Sequence, residues 1–275
     1  MNGLRAGIQG QERRNRKLLR STGYLGAEVA SEVLPLRIDV GSQEKLTRAQ
    51  ADLLEALQVQ SARTAIRSLA SLAAIGELDH LGGGLELIPG LLLTLSCTDY
   101  ERVEYTIEHA HTSIGYYASL AAFGFVGEEA VVEGFRRGLD FPGHVSWLPG
   151  GTQLNGGRLG VMIPVAVGQA LGKRARRDGA WVITHCGDAG WVSGQALNGF
   201  NGADVAGAPI TFVMHRNGIQ LSGATHSIMD KDPRPIIEAL GISIIEIPTL
   251  HDSAGLYEND QERYSITQEG RANMI

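Results

Sequence analysis

The chain has 275 residues, 43% hydrophobic and 20% charged, which is enough apolar mass for a buried core in one large domain or two small ones. Thirty acidic side chains against 24 basic ones leave a formal charge of −6, so no overall attraction to nucleic acid or to an anionic membrane is expected. Cys97 and Cys186 lie far apart, which argues against a disulfide framework or a Cys-rich metal site; both read as reduced, buried thiols. Glycine is the outlier. Its 36 copies are nearly double the usual share of about 7%, and runs such as Gly82-Gly83-Gly84 and Gly156-Gly157 suit backbone that approaches a ligand closely.

Residues 1–45 mix charge with glycine and carry Pro35 inside the short apolar run from Val33 to Ile38. They read as an N-terminal extension that wraps a body or a partner, with Arg13, Arg14, Arg16, Lys17 and Arg20 on a solvated helical face. The basic N-terminus has no apolar stretch behind it, and no segment reaches the roughly 18 apolar residues of a membrane span, so a cytoplasmic protein is expected. Residues 46–275 read as one domain. From Thr47 a helix is predicted, with Leu53, Leu54, Leu57, Ala65, Ile66, Leu69 and Leu72 recurring at three and four and a stop near Gly76. Further helices are predicted over Tyr105 to Phe123, Gly160 to Arg176 and Pro233 to Leu240. Buried strands are predicted at Trp181 to Thr184, Ile210 to Met214 and Ile242 to Ile247. Strands alternating with helices imply an α/β fold, a doubly wound and mostly parallel sheet with helices on both faces. Such sheets bind ligands beyond the carboxyl ends of their strands.

Two segments stand at those ends. His185-Cys186-Gly187-Asp188-Ala189-Gly190 follows one strand, and His215-Arg216-Asn217-Gly218-Ile219-Gln220 follows the next. A carboxylate, an amide oxygen and a backbone carbonyl make an all-oxygen set, the kind that Mg²⁺ or Ca²⁺ requires. Mg²⁺ usually completes its octahedron with phosphate oxygens, so a diphosphate is the natural further ligand. Gly187 leaves room for it. A Gly-Asp pair alone is equally a helix N-cap.

The pair at this spacing resembles the thiamine-diphosphate motif, Gly-Asp-Gly followed by Asn, and more closely the version found in the transketolase family. That resemblance implies that Asp188, Asn217 and the carbonyl of Ile219 hold Mg²⁺, with Ca²⁺ or Mn²⁺ as alternatives. It extends over roughly residues 60 to 250. Asp79-His80-Leu81-Gly82-Gly83-Gly84-Leu85 is similar to the family's Gly-His-Pro-Gly-Gly-Ser-Leu. The segments around His111 and Pro142-Gly143-His144 resemble those that supply two further active-site histidines. Gly157-Arg158-Leu159-Gly160 resembles the turn beside the diphosphate, and Ile219-Gln220-Leu221-Ser222-Gly223 the loop after the metal-binding Asn.

The implied catalytic residues are therefore His80, His111 and His144, which suit the hydrogen bonding of sugar hydroxyls and proton transfer near neutral pH. Gly157, Leu159, Gly160, Gly187, Asp188, Ala189, Asn217 and Ile219 are the implied cofactor-binding set. His185, His215, His226 and His251 match no family position and read as structural. The sequence departs from the family pattern at Asp79, Leu81, Arg158 and Ala189, and at Ser193 and Asn198, which stand where transketolases carry glutamates near the subunit contact. A proton path between paired sites is accordingly not expected.

The glutamate that activates thiamine diphosphate comes, in this family, from a pyrimidine-binding domain, and these 275 residues have no room for a second such domain. The expectation is the diphosphate-binding subunit of a split enzyme that moves a two-carbon ketol unit from a ketose to an aldose or aldehyde. Its partner would be a pyrimidine-domain subunit in an α2β2 heterotetramer. A deoxyxylulose-phosphate-synthase-like enzyme, a 2-oxo-acid decarboxylating enzyme and a degenerate, non-catalytic cofactor-binding protein are the alternatives.

Overall fold

Thr47 starts the first helix, α1 (Arg48–Ala73), with a capping box: its side chain accepts from the Gln50 N–H, and the Gln50 side chain closes back on the Thr47 N–H. The computed structural model describes residues 35–246, apart from 44, 78, 80, 100, 101, 153, 155, 177, 178, 221 and 222, and also residues 273 and 274. His80, His251 and the polar stretch from residue 258 to 263 lie outside the described residues.

After α1 come α2 (Gly82–Cys97), β1 (Val103–Ile107), a 3₁₀ turn (Ala110–Thr112), α3 (Ser113–Ala122) and α4 (Glu128–Gly134). They are followed by α5 (Met162–Arg174), β2 (Trp181–Gly187), α6 (Gly194–Ala206) and β3 (Ile210–His215). A small antiparallel pair, β4 (Ile219–Gln220) and β5 (Gly223–Ala224), precedes a 3₁₀ turn (Thr225–Ser227), α7 (Arg234–Ala239), β6 (Ser243–Ile244) and β7 (Asn273–Met274). The main sheet runs β1-β2-β3-β7-β6 with every pairing parallel.

Each face of the sheet carries its own core. Trp181, Ile183 and Val213 pack with Leu87, Leu91, Tyr117 and other residues of α1 to α4. Val182, Cys186, Ile210 and Phe212 pack with Ile163, Ala166, Ala196, Phe200 and Ile237 from α5, α6 and α7. Alternate residues of a strand point to opposite faces, so two cores on one strand require helices on both sides. This is the expected doubly wound arrangement. Leu36, Ile38 and Val40, inside the segment read as an extension, join the first core, and the Ile38 N–H donates to the Ser96 carbonyl at 2.9 Å.

Two local readings are corrected. The helix expected from Tyr105 starts only at Ser113, because Val103–Ile107 forms strand β1, registered from Val103 against Trp181 to Ile107 against His185. Its Val-Glu-Tyr-Thr-Ile composition is β-branched and aromatic, and pairing with β2 decides the matter. Of the strand expected over Ile242 to Ile247, the described residues pair only at Ser243 and Ile244, and Ile247 lies outside the described residues. Helix α2, not foreseen, begins with three glycines and contains Pro89, both poor helix signals. Tertiary packing overrides them, since beyond its first turn the helix is mostly buried.

One glycine of α2, Gly84, has a packing reason. A Cβ placed on Gly115 of α3 would lie 1.9 Å from the Gly84 carbonyl oxygen, so the two helices touch through backbone. Gly115→Ala should therefore lower the unfolding free energy by about 2 kcal/mol or more, in the range of overpacked cores. Gly202→Ala in α6, where an added Cβ meets nothing within 4 Å, is the control and should be neutral or slightly stabilising. Urea denaturation of both variants checks the contrast.

Candidate cofactor and active site

The parallel register aligns Ile107 with His185 and Gly187 with His215, so the residues after β1, β2 and β3 emerge side by side at one edge. Glu108 and His109 follow β1, Asp188 follows β2, and Arg216 and Asn217 follow β3.

Asp188 is only 5% exposed and forms no ion pair among the described residues. Its Oδ2 accepts from Thr225 Oγ at 2.6 Å, and its carbonyl accepts from Gln220 Nε2 at 3.2 Å. Asn217 is exposed; its Oδ1 accepts from the Ile219 N–H at 2.8 Å, which closes a tight turn, and its Nδ2 donates to Glu86 Oε2 at 2.8 Å. A buried carboxylate without a cation partner, and an amide oxygen with a lone pair to spare, fit a divalent metal chemically. Gly218, in the turn before Ile219, has φ +74°, a backbone conformation that glycine supplies without strain. Beside Asp188 opens a cavity of about 330 Å³, lined also by Trp191, Arg216, Gly218, Thr225 and His226.

The turn at residues 157–160 lies on the same side. Gly157 and Leu159 are exposed, whereas Gly160 is buried with φ +73°. An added Cβ at Gly160 would fall 1.7 Å from Ser193 Oγ and 2.9 Å from the Gly190 carbonyl, so the turn sits directly on the start of α6. Ser193 caps that helix, accepting from the Ala196 N–H at 3.2 Å.

His111 and His144, 33 positions apart in sequence, come together with ring centroids 4.7 Å apart in an edge-on arrangement. Both are exposed. A Cβ on Gly157 would lie 3.5 Å from His144 Nδ1, which joins the histidine pair to the turn. Tyr117 Oη donates to the His144 carbonyl at 2.7 Å, and Ser113 Oγ donates to the Gly143 carbonyl at 2.9 Å; α3 thereby holds the His144 segment in place.

Beneath these groups lie polar residues that sequence reasoning missed or set aside. Glu108, 1% exposed, follows β1 within a stretch read as helix, which hid its place at a strand end. Its Oε1 accepts from the Gly160 N–H at 2.5 Å and its Oε2 from the Gly187 N–H at 3.5 Å. Burial raises its pKa, and those two N–H groups oppose the shift. His185 and His215, read as structural, stack on the α2 face: His185 Nδ1 and His215 Nε2 are 2.9 Å apart, and His185 Nε2 meets Thr94 Oγ at 3.0 Å. His109 lies edge-on to His215 at 5.0 Å, and burial, then the nearby His215, lowers its pKa well below the usual range.

The family model for the dehydrogenase E1 component matches residues 152–247, which include the turn, Asp188 and Asn217. A curated relative from Actinobacillus succinogenes, one of the subunits of an apulose-4-phosphate transketolase, is 31% identical over 138 residues, 48% of this chain and 49% of the relative. Among solved structures, transketolase from Pichia stipitis in complex with sedoheptulose-7-phosphate superimposes with a TM-score of 0.61 at 16% identity, over 80% of this chain and 36% of that one. Transketolase from Leishmania mexicana gives 0.60 at 18% identity, over 82% of this chain and 36% of that one. The chain thus spans about half of the curated relative and about a third of the solved enzymes. The described residues share their α/β fold with transketolase. Over the matched 138 residues the chain is similar to one subunit of a transketolase. Among the described residues no helix is long and apolar enough to cross a membrane.

Burial depresses the His215 imidazole from 6.5 to about 4, so it contributes stability that is present above 6.5 and is lost as pH falls towards 4. The unfolded chain takes up the proton first. A gap of this size corresponds to roughly 3 kcal/mol. His215→Gln should therefore gain relative to wild type as pH is lowered from 7 to 4.5, measured as the difference between their urea midpoints. A difference that stays constant across that window would show that His215 titrates normally.

Proposed function

We propose that this chain is the diphosphate- and Mg²⁺-binding subunit of a split, thiamine-diphosphate-dependent transketolase-like enzyme. The domain from residue 46 to 275 would supply half of each active site, and a pyrimidine-domain subunit the other half, in an α2β2 assembly. The observation that carries this reading is the meeting of His111 and His144 beside Gly157, on the side of the sheet where Asp188 and Asn217 emerge. Histidines from distant segments converge on the turn assigned to the cofactor, and imidazoles suit sugar hydroxyls.

Asp188, Asn217 and the Ile219 carbonyl would hold the metal, and backbone at Gly157, Leu159, Gly160, Gly187 and Ala189 would line the cofactor. Thiamine diphosphate, when bound, supplies the electron sink that lets a carbon–carbon bond next to a carbonyl break. His111 and His144, with His80, would orient the substrate through its hydroxyls and move protons to and from them. The substrate class is a ketose donor, as the sugar phosphate or the free sugar, with an aldose or aldehyde acceptor. The apulose-4-phosphate transketolase relative and the sugar-phosphate complexes of the Pichia enzyme support that class. Leu159, Ile219 and Ile228 are exposed around the site, which supports a covering partner there. The cytoplasm is the compartment proposed for the assembly.

The purified chain alone should show no ketol transfer, and mixing with its pyrimidine-domain subunit should restore it. In the mixture, Asp188→Ala and Asn217→Ala should abolish Mg²⁺-dependent thiamine diphosphate binding by calorimetry while the fold persists. His111→Ala and His144→Ala should instead reduce turnover by about 100-fold with cofactor affinity largely kept. Full turnover by the chain alone, or wild-type cofactor affinity without Asp188, would sink the reading.

A further inference from the structure

Glu108 is a buried carboxylate that the cofactor assignment does not use. Glu104, four residues earlier, is also buried but pairs with Lys173 Nζ at 2.7 Å. Glu108 has no such ion pair among the described residues. Both of its oxygens take backbone N–H groups instead, Oε1 from Gly160 at 2.5 Å and Oε2 from Gly187 at 3.5 Å. Its own N–H donates to the His185 carbonyl at 2.7 Å, which pins its backbone to β2. An added Cβ on Gly190 would fall 2.2 Å from Oε2, and one on Gly156 would fall 3.2 Å from the Glu108 carbonyl. The side chain is therefore wedged between two segments, residues 156–160 and 187–190, that are otherwise separate in the chain.

Those are the segments assigned above to the diphosphate turn and to the loop that begins the metal site. We propose that Glu108 is a positioning residue whose carboxylate clamps the turn at Gly160 to the loop at Gly187 and so sets the gap that a diphosphate with its divalent cation must span. The consequence for cofactor affinity rests on the function proposed in the preceding subsection; the clamp itself rests on Glu108 and its two N–H donors.

The two donors make the clamp separable by substitution. Glu108→Ala removes both acceptors. Glu108→Gln keeps one oxygen, which the closer Gly160 N–H claims, and turns an NH₂ group towards the Gly187 N–H.

Backbone amide exchange, followed by mass spectrometry on the full chain, reads the two segments individually. In Glu108→Ala, exchange should rise about 10-fold or more at both 157–161 and 187–190, with β3 unchanged. In Glu108→Gln it should rise at 187–190 only. Thiamine diphosphate with Mg²⁺, titrated into the complex with the partner subunit, should bind about 10-fold more weakly to Glu108→Ala, with Glu108→Gln between it and wild type. If the alanine variant does not fold, the one-sided exchange of the glutamine variant decides.

Wild-type exchange at both segments, or an equal rise that includes β3, would overturn the clamp. So would cofactor affinity left unchanged while exchange at both segments rises. If wild type itself takes up no thiamine diphosphate, the proposed function fails, and the exchange pattern alone then judges the clamp.

Discussion

The parallel register of β1, β2 and β3 is the constraint on which the rest of the site depends. Because Ile107 stands against His185 and Gly187 against His215, three strands end at nearly the same level and three loops leave from one edge. Parallel strands require crossover helices, and those helices bury both faces of the sheet, so the strand ends are the part of the layer left open to a ligand. Asp188 and Asn217 owe their adjacency to this register. Their positions 29 residues apart in the chain express the length of one βαβ unit.

Below the open edge the site is polar and dry at once. Glu108, His109, His185 and His215 all lie in or next to the strand ends, where unpaired polar groups are costly. The structure meets part of that cost with backbone donors and with an imidazole pair. Glu108 draws its hydrogen bonds from glycine N–H groups, which approach it closely for want of a Cβ; His185 bonds both His215 and Thr94, while His215 Nδ1 and His109 Nε2 find no hydrogen-bond partner among the described residues. Burial favours the uncharged histidine, and neutral rings can share a proton between Nδ1 and Nε2 without charge repulsion. The pair thus links β2, β3 and α2 under the site.

Much of this was legible in sequence, and the illegible part has physical causes. β2 and β3 announce themselves as short β-branched runs followed by polar strand ends, so Asp188 and Asn217 can be found from pattern alone. β1 was hidden because Val103–Ile107 runs almost directly into the apolar helix α3, and a short apolar run has no period of its own that separates strand from buried helix. That single misreading concealed Glu108 as a strand-end carboxylate. Helix α2 was hidden by its glycines, and the reason for one of them, the backbone contact of Gly84 with Gly115, lies 31 residues away. The His185 and His215 pairing depends on register and on Thr94, 91 residues before His185, which no local pattern records. The meeting of His111 with His144 was foreseen only through family resemblance; their separation in sequence carries no signal.

The geometry also accounts for a short side chain at Ser193, where the resemblance to transketolases leads one to expect a glutamate. Gly160 stands so close to Ser193 that a Cβ added there would meet Ser193 Oγ at 1.7 Å, while the Gly160 N–H already donates to Glu108. A carboxylate at 193 directed towards the turn would therefore enter a dry space next to one that Glu108 fills. Two carboxylates so placed cannot both ionise cheaply, and no cation pairs with Glu108 among the described residues. A short neutral side chain avoids that repulsion and still caps α6 through its hydroxyl. Glu108 and Ser193 are thus a matched pair of choices: with the carboxylate supplied from the end of β1, position 193 is left to cap a helix.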